Sequence, residues 1–199
     1  MAKKSNQSYR YRVADSILYN QTDEYSLSVE EYYRLYNFFV TYSCCGTQSM
    51  KKRNFTDYGW NNYSRTIGDF TPNPQVYLKD ALTQIIDLDD QNYFVFTNDG
   101  DDICQCFVEI NLSDGRLNDF DTERCVCTRN SERNRFLNLF YRVRDGFAHG
   151  KFLLKYGANN CKVVVIQDDD SHSVTARIVI KLDTLLRIVD VVDRDNIIQ

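Results

Sequence analysis

Arg133-Asn134-Arg135-Phe136-Leu137-Asn138-Leu139-Phe140-Tyr141-Arg142-Val143-Arg144-Asp145-Gly146-Phe147-Ala148-His149-Gly150 is the stretch on which the reading of the fold turns. On a helical wheel of about 100° per residue, Phe140, Val143 and Phe147 fall within about 40° of Phe136. That aromatic stripe predicts a core-facing helix over about 130–149. Arg144 then sits near 80°, Asp145 near 180° and His149 near 220°, with Arg135 and Arg142 close to the His149 side. The expected polar arc presents Tyr141, Asn138, Arg144, Asp145 and His149 to solvent or to a partner.

The flanking sequence extends this pattern. Ser28-Val29-Glu30-Glu31 is a capping box, and Leu35, Phe38, Phe39 and Tyr42 follow at helical spacing. Cys45-Gly46 is a fitting end for that helix. Asn73-Pro74 reads as the start of another, with Leu78, Ala81, Leu82 and Ile85 as its buried face. After the central helix, 161–167 and 173–180 are β-rich runs joined by Asp168-Asp169-Asp170-Ser171-His172, a hairpin signature over about 161–180. A last helix is expected over about 184–193, capped by Asp183 and buried through Leu185, Ile188, Val189 and Val192. Residues 93–112 admit two readings. One is a hairpin around Asn98-Asp99-Gly100; the other is a helix whose face is Ile103, Cys106, Phe107 and Ile110.

The chain has 199 residues, of which 43% are hydrophobic and 26% charged, values that predict one globular domain over 1–199. No apolar run has the length of a membrane span, and the amino-terminal residues lack a signal core. The expectation is a cytoplasmic protein without a membrane partner. Seven cysteines, an odd number, do not make a disulfide framework. Cys104-x-Cys106 and Cys125-x-Cys127 could meet around a metal, but Cys-x-x-Cys is lacking, and buried free thiols are the preferred reading.

Charge is unevenly distributed. Arg124, Arg129, Arg133, Arg135, Arg142, Arg144, Lys151 and Lys155 face only Glu132 and Asp145, so 124–155 carries +6. The whole chain carries −4, which leaves −10 for the rest. A positive segment on an acidic body suits a phosphate-binding site, and equally a solvated helix face. Of the two histidines, His172 falls in the hairpin turn, so His149 is the candidate for acid–base work. Its plainer reading is a helix-terminal histidine before Gly150.

Arg144-Asp145-Gly146-Phe147-Ala148-His149, followed by Gly150, resembles the signature of the HEPN superfamily: Arg, a polar residue, a short spacer and His. The Ala-His-Gly ending, with a strand pair and a helix after it, is similar to a bacterial group from plasmid and phage-conflict systems. The resemblance covers about residue 130 to the end. It implies a mainly α fold, a HEPN-type helical bundle with a C-terminal β-hairpin and final helix, and it favours helix over 93–112. It also implies a metal-independent endoribonuclease that needs no cofactor and dimerises through the motif helix. Carried over, His149 is the acid or base, Arg144 holds the scissile phosphate, and Asp145 orients one of them. Arg135, Arg142, Lys151, Tyr141 and Asn138 become candidate RNA contacts. The products implied are a 2′,3′-cyclic phosphate and a 5′-hydroxyl. Toxin biology, with a cognate antitoxin or regulatory partner, is compatible with that chemistry. The alternative is a non-catalytic interaction or nucleotide-binding module. Arg144 and His149 lie about 140° apart on a regular helix, so a second copy of the helix, or a bend at Gly146, is needed to bring them to one phosphate.

Overall fold

The computed structural model describes residues 17–18, 21–45, 51–61, 64–66, 75–90, 92–98, 103–113, 117, 119–131, 133–170 and 173–194. Its frame is a five-stranded sheet in the order β3-β4-β7-β6-β5. The strands are β3 (Phe94–Thr97), β4 (Arg124–Thr128), β5 (Phe152–Tyr156), β6 (Lys162–Asp169) and β7 (Val174–Lys181). β3 and β4 pair in parallel, and every other neighbour is antiparallel. A separate two-stranded piece pairs β1 (Ser64–Thr66) with β2 (Gln75–Tyr77). This corrects the expected mainly α helical bundle. The hairpin foreseen near the C-terminus is the middle of a mixed sheet, not an appendage to helices.

The sheet is covered on both faces, so its central strands turn apolar side chains to both sides. Along β6, Val164 and Ile166 enter one core while Val163 and Val165 enter the other. The first core receives α1 (Val29–Leu35), α2 (Leu78–Thr83), α4 (Arg135–Ala148) and α5 (Leu182–Val192) through Leu35, Leu82, Phe140, Phe147, Leu185 and Ile188. The second lies under α3 (Ile103–Glu109), around Phe107, Ile110 and Leu112. Two-sided burial removes the alternation by which a strand is recognised in sequence. β4 is the clearest case. Cys125 and Cys127 point into the first core and Val126 into the second. The Cys-x-Cys spacing there is the two-residue period of a strand. All seven cysteines are free, and among the described residues no group of three or more His, Cys, Asp or Glu side chains is placed to hold a metal.

The capping box at Ser28 acts where it was read. Ser28 Oγ accepts from the Glu31 amide at 3.1 Å, and the Ser28 amide donates to the Glu31 carboxylate at 2.7 Å, which starts α1. The helix continues as a π-helical segment, Tyr36–Thr41, that buries Phe38 and Phe39. Segment 93–112, for which the resemblance favoured one helix, divides into β3 and α3. Asn73-Pro74 and His172 lie outside the described residues. α2 opens at Leu78 with Tyr77 at its cap position. β7 runs directly into α5, so Lys181 takes the cap position expected for Asp183. Buried Trp60 donates to the carbonyl of Val192 at 3.0 Å and ties its loop to the end of α5. Among the described residues no helix is long and apolar enough to cross a membrane.

Candidate functional site: the C-terminal end of α4

α4 starts where Asn134 Oδ1 accepts from the Leu137 amide at 2.9 Å. It runs unbroken to Ala148, with His149 at the cap position and Gly150 in the left-handed region at φ 64°. The Lys151 amide then donates to the Gly146 carbonyl at 2.8 Å, closing the turn into β5. Tyr36 Oη donates to the Phe147 carbonyl at 2.9 Å, satisfying another carbonyl of the last turn. The register of His149 is therefore helical, and Gly146 does not end the helix early.

Gly146 has a different role. A methyl group there would lie 2.3 Å from Ile166 Cγ2, a fully buried branched side chain on β6. Glycine is what lets α4 lie flat on the sheet. Gly146→Ala should therefore destabilise the protein, although the same change at an open helix position is favourable by about 1 kcal/mol. Overpacking of about 1–3 kcal/mol opposes that gain. The expected outcome is a melting temperature lowered by several degrees, at about 2–4 °C per kcal/mol for a chain of this size. A raised melting temperature would show that β6 yields to the methyl.

Tyr141, Asp145 and His149 follow one another at four-residue spacing and share one side of α4. They line an open cleft of about 630 Å³ together with Arg142, Lys151, Thr175 and the acidic run 168–170. Of the three helix residues His149 is the exposed one, and among the described residues its imidazole makes no hydrogen bond. Asp145 is buried and pairs with the Arg144 guanidinium, which flanks the cleft without lining it. Burial, and secondarily the Asp145 carboxylate, push the Tyr141 phenol above its ordinary range. Arg133 lies 4.0 Å from the centre of the Tyr141 ring.

The floor is a second set of paired charges. Arg142 donates to Asp168 Oδ2 at 2.6 Å and to Thr175 Oγ1 at 3.0 Å, and it also binds Thr128. Thr175 donates to the same carboxylate oxygen at 2.8 Å. Lys151 pairs with Asp169. Burial holds the Asp168 carboxyl above the usual carboxylate range, despite the opposing pull of Arg142.

No family model, curated protein or solved structure matches this chain.

The sequence-chosen residues thus divide. Tyr141, Arg142, Asp145, His149 and Lys151 meet at the cleft, with Arg144 at its side. Arg135 lies at the other end of α4, donating to the Leu88 carbonyl at 2.6 Å. Asn138 is buried, and its amide serves the chain before the helix. It accepts from the Asn130 amide at 2.9 Å and donates to the Arg133 and Asn134 carbonyls at 3.0 Å each. The polar arc is not an open face, because Asn138 and Asp145 are buried and Arg144 and Tyr141 half-buried. Nor is the +6 segment a bare cationic patch. Among its described basic residues, Arg129 and Arg133 alone lack an ion pair. Asp168, Asp169, Asp170 and Thr175 were missed as cleft residues. The available signal was the acidic run at 168–170, opposite in sign to the basic helix and placed where β6 ends beside it.

Proposed function

We propose that this chain is an endoribonuclease that cleaves RNA by attack of the ribose 2′-hydroxyl, with His149 as its acid–base group and no metal needed for the step. The observation that carries this reading is the position of His149. It is an exposed imidazole at the end of a helix packed on the sheet, on the rim of a cleft that also holds a phenol and a lysine. The Arg144-to-His149 spacing that resembles the HEPN signature supports the same reading; the resemblance extends to the motif and not to the fold.

In the proposed step the 2′-oxygen bonds to phosphorus as its proton passes to an imidazole. The bond to the 5′-oxygen breaks as that oxygen receives a proton, leaving a 2′,3′-cyclic phosphate and a 5′-hydroxyl. Arg144 and Lys151 meet the phosphate by exchanging Asp145 and Asp169 for its oxygens. A 2′-hydroxyl nucleophile restricts the reaction to RNA. RNA incubated with the chain in EDTA should yield cyclic-phosphate and 5′-hydroxyl ends; DNA of the same sequence should stay intact. Ends of the opposite polarity would sink the mechanism.

The active form is proposed to be a homodimer built on α4. Leu137, Tyr141, Arg144 and Ala148 recur at helical spacing as half-buried residues, a surface stripe with Arg144 in it. A two-fold contact along this stripe would set two arginines between two histidines. Light scattering at micromolar concentration should return twice the 23.4 kDa chain mass, and Ala148→Glu should halve it. A wild-type monomer would defeat the shared-site model.

A second reading is favoured by the engagement of Arg144, at the side of the cleft, with Asp145: a non-catalytic module that binds RNA, a nucleotide or a protein. Wild-type protein that binds RNA without cutting it would select this reading. By resemblance, the proposal extends to a bacterial toxin or defence protein acting in the cytoplasm under a cognate partner.

A further inference from the structure

The other end of α4 borders a second cavity, of about 330 Å³, that shares no lining residue with the His149 cleft. Its wall is apolar, formed by Phe55, Leu78, Leu82, Leu88 and Phe136. Its mouth is ringed by Lys79, Arg129 and Arg135 with a single carboxylate, Asp89. Asp89 is shared, 3.7 Å from Lys79 and 3.4 Å from Arg135. Arg135 is further held by the Leu88 carbonyl. Arg129 is exposed and, among the described residues, has no ion pair. Arg135 and Phe136 open α4, so the positive end of the helix dipole lies at the same mouth.

We propose that this cavity binds a small monocarboxylate with an apolar body, its carboxylate at Arg129 and its body against Leu82 and Phe136. The volume falls at the lower end of the range for small-molecule sites. The charge at the rim sets the class of ligand. Lys79, Arg129 and Arg135 outnumber the one carboxylate, Asp89, so the rim is cationic; Arg129 alone of the three has no ion pair among the described residues, and a guanidinium matches one carboxylate in paired hydrogen bonds. A neutral apolar molecule would lack the added charge pairing at Arg129, and a hydrophilic anion would leave the wall wet. The site is independent of the nuclease reading, because its test measures binding alone.

The test is calorimetric titration of the full chain with decanoate below its micellar concentration, beside decanol as the uncharged analogue and an Arg129→Gln variant. Arg129 is exposed, so this variant should melt with the wild type. Saturable binding of one decanoate is expected, weakened about tenfold or more by Arg129→Gln, with decanol weaker than decanoate. Absence of saturable decanoate binding, decanol bound as tightly as decanoate, or unchanged affinity in Arg129→Gln would each overturn the proposal.

Discussion

His149→Ala should abolish RNA cleavage while leaving the protein folded and dimeric. The imidazole is exposed and, among the described residues, holds no other side chain in place, so its loss should change stability by no more than about 0.5 kcal/mol. If the same imidazole moves the proton between ribose and phosphate, the rate should fall about 10²–10⁴-fold. The experiment compares cleavage in EDTA, the melting curve and the light-scattering mass for wild type and variant. Lost cleavage with matching melts and masses supports acid–base chemistry at His149. Undiminished cleavage by the variant eliminates the assignment, whatever the products. Lost cleavage with a collapsed melt would mean that the helix end had been damaged, and His149→Gln then separates the roles. Glutamine keeps a polar group at the cap position and cannot relay a proton at neutral pH.

Arg142→Ala should be the most damaging of the cleft substitutions to stability. Its guanidinium answers Asp168, Thr175 and Thr128 at once, joining α4 to β6, β7 and β4. Asp168 is only 4 % exposed, so removing Arg142 leaves a buried carboxylate without its counter-charge. Breaking such a pair typically costs about 3–5 kcal/mol. The cost should depend on pH in a defined sense. Burial already holds the Asp168 carboxyl above its ordinary value, so the folded chain binds this proton more tightly than the unfolded chain. As pH rises from the usual carboxylate range through the raised folded value, this group therefore lowers stability. Without Arg142 the upward shift grows. The variant's deficit should then be largest near neutrality and shrink at acid pH, as Asp168 takes up its proton. Urea unfolding of both proteins at the two pH values reads this directly; a deficit that is equal or larger in acid would refute the account. The doubly apolar replacement, Arg142→Leu with Asp168→Leu, should recover much of the loss, since neither charge then remains buried.

The two predictions concern neighbours on the same helix that do different work. His149 ends α4 in solvent and can meet a substrate. Arg142, chosen from the sequence as an RNA contact, spends its hydrogen bonds inside the protein. Lys151 and Arg144 lie between these cases, each held by one aspartate that a phosphate would have to replace. Residue type and position on a helix were legible in the sequence. Whether a cation was already answered from another strand was not.

Short-range signals were read well because their partners are close in the chain. The Ser28–Glu31 box, the aromatic stripe of α4, the turn at Gly150 and the paired runs that became β6 and β7 all act over a few residues or across one hairpin. The mixed sheet escaped because β3 and β4 carry no such signal. β3 has four residues and β4 five, both packed from two sides, and they pair in parallel across a helix-bearing connection. A strand buried on both faces loses its alternation, and in Cys125-Val126-Cys127 the two-residue period is carried by thiols, read as buried but not as a strand. Gly146 makes the same point at atomic scale. In sequence it is a helix defect. Against Ile166, a residue twenty positions away on another strand, it is the space that seats the helix. Amino-acid order thus set the helix, its caps and the place of His149 through interactions local in the chain; the sheet, the charge pairing and the depth of the cleft came from contacts between distant segments, which no local pattern encodes.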